Sequence, residues 1–158
     1  MKMKNKLILM YVMSLHIHTM YASEKEKLME IAYNYLQFVH DVGSVYSVKS
    51  DDSRIAILFA DNLTKIDNRI TLFANNRQLL LPQMKGFEKE DNPEAVEPAW
   101  IIDSDHALII PSTETNSVIA YFEWVHVHVG RATTMAILQC NDNGQIERIT
   151  DVWAKVQQ

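Results

Sequence analysis

The chain has 158 residues, room for one domain with one core. Fifteen basic side chains against 20 acidic ones give a formal charge of −5, which argues against nucleic acid and anionic membrane surfaces as partners. The single cysteine, Cys140, excludes an internal disulfide, sits in a strand pattern and reads as a small buried apolar residue; no zinc-ligand spacing is present.

Residues 1–22 differ from the rest. Lys2, Lys4 and Lys6 make a basic start, and Leu7 to Leu15 is an apolar run too short to span a bilayer. Ala22 then precedes Ser23-Glu24-Lys25-Glu26, the layout of a secretory signal peptide. Cleavage would leave a periplasmic or secreted domain, 23–158, and would remove three lysines and no acid, taking the charge to −8.

Leu28, Ile31, Ala32, Tyr35, Leu36 and Val39 recur at helical spacing and predict an amphipathic helix over about Glu24 to Asp41, ended or bent at Gly43. Ser50-Asp51-Asp52-Ser53 offers N-cap oxygens for a short second helix, Arg54 to Ala60. Leu63 to Ile66 reads as a strand, and Asp67-Asn68 as a two-residue turn into Ile70-Thr71-Leu72-Phe73. From Arg77 to Phe87 a third helix is indicated, with Pro82 starting, kinking or stopping it.

Glu88 to Pro98 is acidic and aperiodic, a loop with the character of a lid. Trp100-Ile101-Ile102 and Ala107 to Ile110 read as short strands joined by an Asp103-Ser104-Asp105 turn; Pro111 to Asn116 is a further loop. The last forty residues hold three long β-rich segments: Val118 to His128, the run after Gly130-Arg131, and the run after Asn141-Asp142-Asn143-Gly144. Helices first and a strand meander afterwards predict an α+β domain.

Strand side chains alternate between faces. Phe122, Trp124, His126 and His128 share one face of the first long strand; Tyr121, Glu123, Val125, Val127 and Val129 share the other. Ile149, Asp151 and Trp153 share a face of the last. Apolar residues on both faces imply that both are covered. A strongly curved antiparallel sheet wrapped around the N-terminal helices, a cone with an apolar hollow, satisfies that pattern and offers a small-molecule site.

The helix, the step Leu58-Phe59-Ala60-Asp61-Asn62 into a strand, and the final Gly144-Gln145-Ile146 strand ending in Asp151-Val152-Trp153 resemble the nuclear-transport-factor-2-like superfamily. That superfamily includes SnoaL-like polyketide cyclases and ketosteroid isomerase. The segment from Leu58 to Asp67 is similar to the isomerase segment ending in its proton-shuttling aspartate, which implies a general-base position for Asp67. The isomerase has proline next, where this chain has Asn68. Its oxyanion hole also needs a tyrosine and a protonated aspartic acid. Tyr35 or Tyr46 is available for the first, but the register puts Ala136 at the second, which disfavours ketosteroid isomerisation. The same register implies that Trp124, His126, Ile149, Asp151 and Trp153 point inward, and the fold implies a homodimer through the sheet.

The candidate acid–base residues are therefore Asp151 and His126, paired across neighbouring strands, with Asp67 third. Trp124, Trp153, Ile149, Tyr35 and His128 are the candidate ligand-binding wall. A buried carboxylate beside Trp153 must raise its pKa or find a partner; Arg148 and Arg131 are further partners for it at the rim. The His126-x-His128 pair lacks a third protein ligand at a fixed distance, so no metal site is assigned. No cofactor is called for. Two functions follow: a domain that binds a small apolar ligand or serves as a dimeric interaction module, or an isomerase, cyclase or dehydratase working on a carbonyl compound by acid–base chemistry.

Overall fold

A computed structural model of the chain describes residues 2–43, 48–49, 51–85, 100–126 and 129–156, with side chains from Ser23 onward except that of Lys85. The expected loop over 88–98, Tyr46, Val127 and His128 lie outside the described residues.

Helix α1 runs over Lys2–Gly43. It therefore begins upstream of the expected Glu24 and crosses the 22/23 boundary without a break. Its inner face carries Leu28, Ala32, Tyr35, Leu36 and Val42, all buried, as the 3.6-residue period requires. Helix α2 covers Ser53–Leu58, with the Asp52 carboxylate accepting the Arg54 backbone N–H at its start. It is shorter than expected because Phe59 and Ala60 already belong to strand β1.

Six strands form one sheet in the order β2-β1-β6-β5-β4-β3. Their ranges are β1 Phe59–Asp67, β2 Ile70–Phe73, β3 Trp100–Ser112, β4 Ser117–His126, β5 Gly130–Cys140 and β6 Ile146–Lys155. All neighbours are antiparallel except β1 and β6, which pair in parallel. The sheet curves without closing, and α1 packs on its concave side against β3 and β4. The expected α+β cone is thus the observed fold. Its core joins α1 to the inward residues Phe59, Leu63, Val118, Ala120, Leu138, Ile146 and Ile149.

Three local expectations are corrected. The β1–β2 turn is Asn68-Arg69, not Asp67-Asn68; both carry positive φ, 43° and 73°, the geometry of a two-residue primed hairpin. Asp67 consequently stays in the strand and keeps its inward direction. Trp100 to Ser112 is one strand, not two: the register slips between Asp103 and Leu108, and a bulge absorbs the polar residues that read as a turn. Within it the Asp103 carboxylate accepts the His106 backbone N–H. Third, Val129 does not share the outer face. Strand β4 ends at His126, so alternation stops there and the turn brings Val129 to the inner side.

Helix α3, Leu80–Lys85, follows a 3-10 turn at Arg77–Leu79. Pro82 lies in its first turn, where a missing N–H costs nothing. Gly144, at φ 77°, turns β5 into β6 as the Asn-Asp-Asn-Gly signal indicates.

Candidate functional site

The concave side holds a cavity of about 230 Å³. Helix α1 contributes Tyr35 and Val39; β1 contributes Lys65 and Asp67; α3 contributes Gln83 and Met84. The meander supplies Trp100, Ile102, Phe122, Trp124, His126, Val129, Thr134, Asp151 and Trp153. Most of this wall is apolar, and the charged groups Lys65, Asp67 and Asp151 collect at one end.

That polar end follows from strand register. Leu63, Lys65 and Asp67 alternate onto the inner face of β1. Asp67 stands opposite Asp151, and Lys65 opposite Ile149, across the parallel β1–β6 pair. From one step back, Lys65 reaches diagonally, placing Nζ 2.5 Å from Asp151 Oδ2. Both side chains are about nine-tenths covered, at 10% and 11% exposure. The Tyr35 hydroxyl points at the same carboxylate. Burial, then the Asp151 charge and hydrogen bond, hold its pKa well above the usual phenol value. Tyr35 is thus a neutral donor.

Asp67 has a different environment. Burial raises its pKa above the usual 3.8; Lys65 opposes the rise, Asp151 adds to it, and the Trp153 indole hydrogen bond lowers it somewhat. One oxygen of each carboxylate, Asp67 Oδ1 and Asp151 Oδ1, is buried with no hydrogen-bond partner. Such orphan acceptors are expensive unless something outside the chain meets them.

The aromatic wall faces this end. Trp124 meets Trp153 edge-on at 5.9 Å between centroids and meets His126 edge-on at 6.1 Å. His126 stacks on Trp100 at 6.2 Å. Trp124 Nε1 donates to Thr134 Oγ1 at 2.8 Å, and Trp100 Nε1 donates to the Val39 carbonyl at 2.8 Å in the last turns of α1.

Of the sequence candidates, Asp151, His126, Asp67, Trp124, Trp153 and Tyr35 all line the cavity. The direct pairing of His126 with Asp151 is not formed: β5 lies between β4 and β6, and Asp151 registers with Ala136, itself opposite Ala120. His126 stands six residues further along β4. The rim alternatives also fail, because Arg131 pairs with Glu123 and Lys65 holds Asp151. Ile149 faces inward but lies in the core beneath the cavity, fully buried. His128 lies outside the described residues.

Lys65 is the residue that sequence reasoning missed. The available signal was its position two before Asp67, which places both on one face. Ala136 is buried directly opposite Asp151, so the isomerase's second acid has no counterpart there. Cys140 is buried, and its thiol is pushed up to about 11 by burial and by Glu147, so it is unreactive. Among the described residues no group of three or more His, Cys, Asp or Glu is arranged to hold a metal.

No protein-family profile matches the chain, and no curated protein does. Solved structures share its fold. A SnoaL-like family protein from Agrobacterium tumefaciens, provisionally named an isomerase, superposes with a TM-score of 0.56 at 12% identity over 82% of this chain and 98% of its own. A nuclear-transport-factor-2-like protein of unknown function from Burkholderia xenovorans gives 0.55 at 12% identity, over 85% and 88%. SalBIII, an epoxide hydrolase/cyclase-like enzyme in pyran ring formation in the polyether salinomycin, gives 0.55 at 13% identity, over 82% and 92%. The chain has the nuclear-transport-factor-2-like fold, and structures that share it include proteins named as isomerase and hydrolase/cyclase. At such identities the likeness carries the fold alone.

Proposed function

We propose that this nuclear-transport-factor-2-like domain is an acid–base enzyme acting on a small, largely apolar molecule, with Asp67 as the proton-transferring group. The observation that carries the reading is the split between two facing carboxylates. Asp151 is held by the Lys65 ammonium, while Asp67, opposite it, has a raised pKa and a buried oxygen without a partner. Two acids whose environments differ in this way are suited to different roles. A buried ion pair is a poor source of stability, because apolar residues fill such space as well or better. Its presence in a cleft beside a shifted carboxyl supports a chemical role.

The proton inventory is simple. Asp67 Oδ1 takes a proton from a carbon beside a carbonyl; the C–H bond breaks and its electron pair becomes the enolate. The Lys65 ammonium and the neutral Tyr35 phenol supply donors near the developing negative oxygen. The protonated Asp67 then returns the proton to the same or a neighbouring carbon. The indole and phenyl wall keeps water away from the reacting end.

The test is deuterium incorporation. Small ketones, aldehydes and unsaturated ketones are incubated with the protein in D2O and followed by NMR. Wild-type protein exchanges at least one class above background, and Asp67→Asn loses about a hundredfold or more. No exchange by wild type across the panel, or equal exchange by the variant, sinks the reading.

A second feature supports a homodimer through the sheet. Leu108, Tyr121, Met135 and Val152 are cross-strand neighbours in one row on the outer face, exposed at 57%, 43%, 37% and 45%. Such a contiguous band suits a sheet-to-sheet contact. The basic start, apolar run and Ala22 of the N-terminus support placing the domain in the periplasm or outside the cell.

A further inference from the structure

The polar end of the cavity carries more negative than positive charge and is walled by indoles. Asp67 and Asp151 face one ammonium, that of Lys65. The two orphan atoms among the buried, described side chains are both acceptors, one on each carboxylate. Asp151 is itself buried, at 8% exposure for the whole residue, and lines the cavity. Beside them stands the aromatic row Trp100, His126, Trp124 and Trp153, with successive centroids 5.9–6.2 Å apart.

Two indole N–H groups of this row are already engaged: Trp100 donates to Val39 and Trp124 to Thr134, while that of Trp153 lies beside the Asp67 carboxyl and lowers its pKa. The row therefore offers mainly ring surface and edges. Unmet carboxylate oxygens on one side and ring surface on the other attract the same chemical group: a desolvated cation with N–H bonds.

We infer that the ligand of this cavity is an organic amine in its ammonium form, its N–H bonds directed to Asp151 Oδ1, its charge beside the Asp67 carboxylate and its apolar body laid against the three tryptophans. The inference rests on the acid–base reading and names the substrate class for that site. Asp151, fixed by Lys65, recognises the cation, and the incoming positive charge favours the ionised form of Asp67, the form that accepts a proton. Lys65 and Asp67 from β1, Asp151 from β6, Tyr35 from α1 and His126 from β4 are the titratable groups around the bound nitrogen. Because cation binding favours ionised Asp67, affinity rises with pH through the raised pKa of that carboxyl and levels off above it.

The test uses the full chain, with tryptophan fluorescence and calorimetry, and two probes of one shape: 2-phenylethylammonium and 2-phenylethanol. At pH 7 the amine binds at least about tenfold more tightly than the alcohol. Lowering the pH through the raised pKa of Asp67 reduces that preference in wild type. In Asp67→Asn the preference is smaller and nearly independent of pH over the same range, a readout that does not depend on disturbing the Lys65–Asp151 pair. Equal or tighter binding of the alcohol, no binding of either probe, or a pH-independent preference in wild type overturns the inference. Deuterium exchange on uncharged carbonyl compounds is measured separately, so the acid–base reading stands or falls by its own result.

Discussion

Asp67 and Asp151 stand opposite each other on the parallel strands β1 and β6, and Lys65 is ion-paired with Asp151. The asymmetry follows from geometry. Lys65 and Asp67 share a face of β1, so the lysine stem rises beside Asp67 and reaches over to the neighbouring strand. One carboxylate gains a full counter-charge. The other sits near that charge beside a neutral indole, with burial raising its pKa most.

Removing the counter-charge tests the arrangement directly. Lys65→Met leaves Asp151 nearly buried beside Tyr35 without its ammonium, and destabilises the fold by about 3–5 kcal/mol. The double variant Lys65→Met/Asp151→Leu recovers most of that loss, because two apolar side chains replace the pair. Urea denaturation of the single and double variants measures both numbers. A single variant within about 1 kcal/mol of wild type would show that the pair is solvated and not a buried device.

Gly43 carries a second constraint. A Cβ there would overlap the Trp100 indole at Nε1 and Cε2. Gly43→Ala therefore displaces the indole, breaks its bond to the Val39 carbonyl and unstacks it from His126. A loss of about 1–3 kcal/mol is expected, with a red shift in tryptophan emission. An unchanged spectrum would mean that the indole does not pack on the helix end.

Much of this site was legible before any coordinates. Alternation grouped Trp124 with His126 and Asp151 with Trp153 on shared faces, because period-2 patterning is local, and the family resemblance turned those faces inward. Asp67 came from resemblance to a family segment. Lys65 was missed because a strand lysine defaults to solvent, and only the β1–β6 pairing, a contact 86 residues apart in sequence, shows what it meets. Ile149 was misplaced because an inward direction does not give depth along the cone. His126 and Asp151 were paired because strand order was unknown, and β5 separates them. Asp103-Ser104-Asp105 read as a turn because a bulge and a turn use the same polar residues.

Asn68 departs from the proline of the family segment, and the hairpin supplies the reason. Its φ is 43°, its backbone N–H donates to the Asp151 carbonyl at 2.9 Å, and its Oδ1 accepts the Trp153 backbone N–H at 3.1 Å. Proline can adopt neither that φ nor that bond. Asn68→Pro should cost about 2–5 kcal/mol and weaken binding in the cavity, since the residue ties Asp67's strand to that of Asp151. A variant with wild-type stability would mean that the hairpin adopts another turn without loss.

The outer band predicts an oligomer that a charge can split. Tyr121 and Met135 are register partners in its middle. In Tyr121→Lys/Met135→Lys two ammonium groups would meet their symmetry mates across a sheet-to-sheet contact, and the dimer should give way to monomer by size exclusion with light scattering. Both side chains point away from the cavity, so ligand binding should persist. A monomeric wild type at micromolar concentration would remove the premise.

Asp67 makes the sharpest link between stability and activity. Its folded pKa is raised above 3.8, mainly by burial. For a group shifted upward, the stabilising contribution is fully present below the unfolded pKa, where the carboxyl is protonated in both states, and is lost as pH rises through the folded value. At neutral pH the ionised Asp67 therefore weakens the fold. Asn keeps an acceptor for Trp153 and carries no charge, so Asp67→Asn should be more stable than wild type at pH 7 while losing proton transfer. The gain should shrink as pH falls, and be gone below about 3.8, where wild type is also neutral. Urea denaturation at pH 7, 5 and 3.5 separates the outcomes. A stability difference that stays constant with pH would show that Asp67 titrates like an exposed carboxyl, and would remove it from the role of a tuned acid–base group.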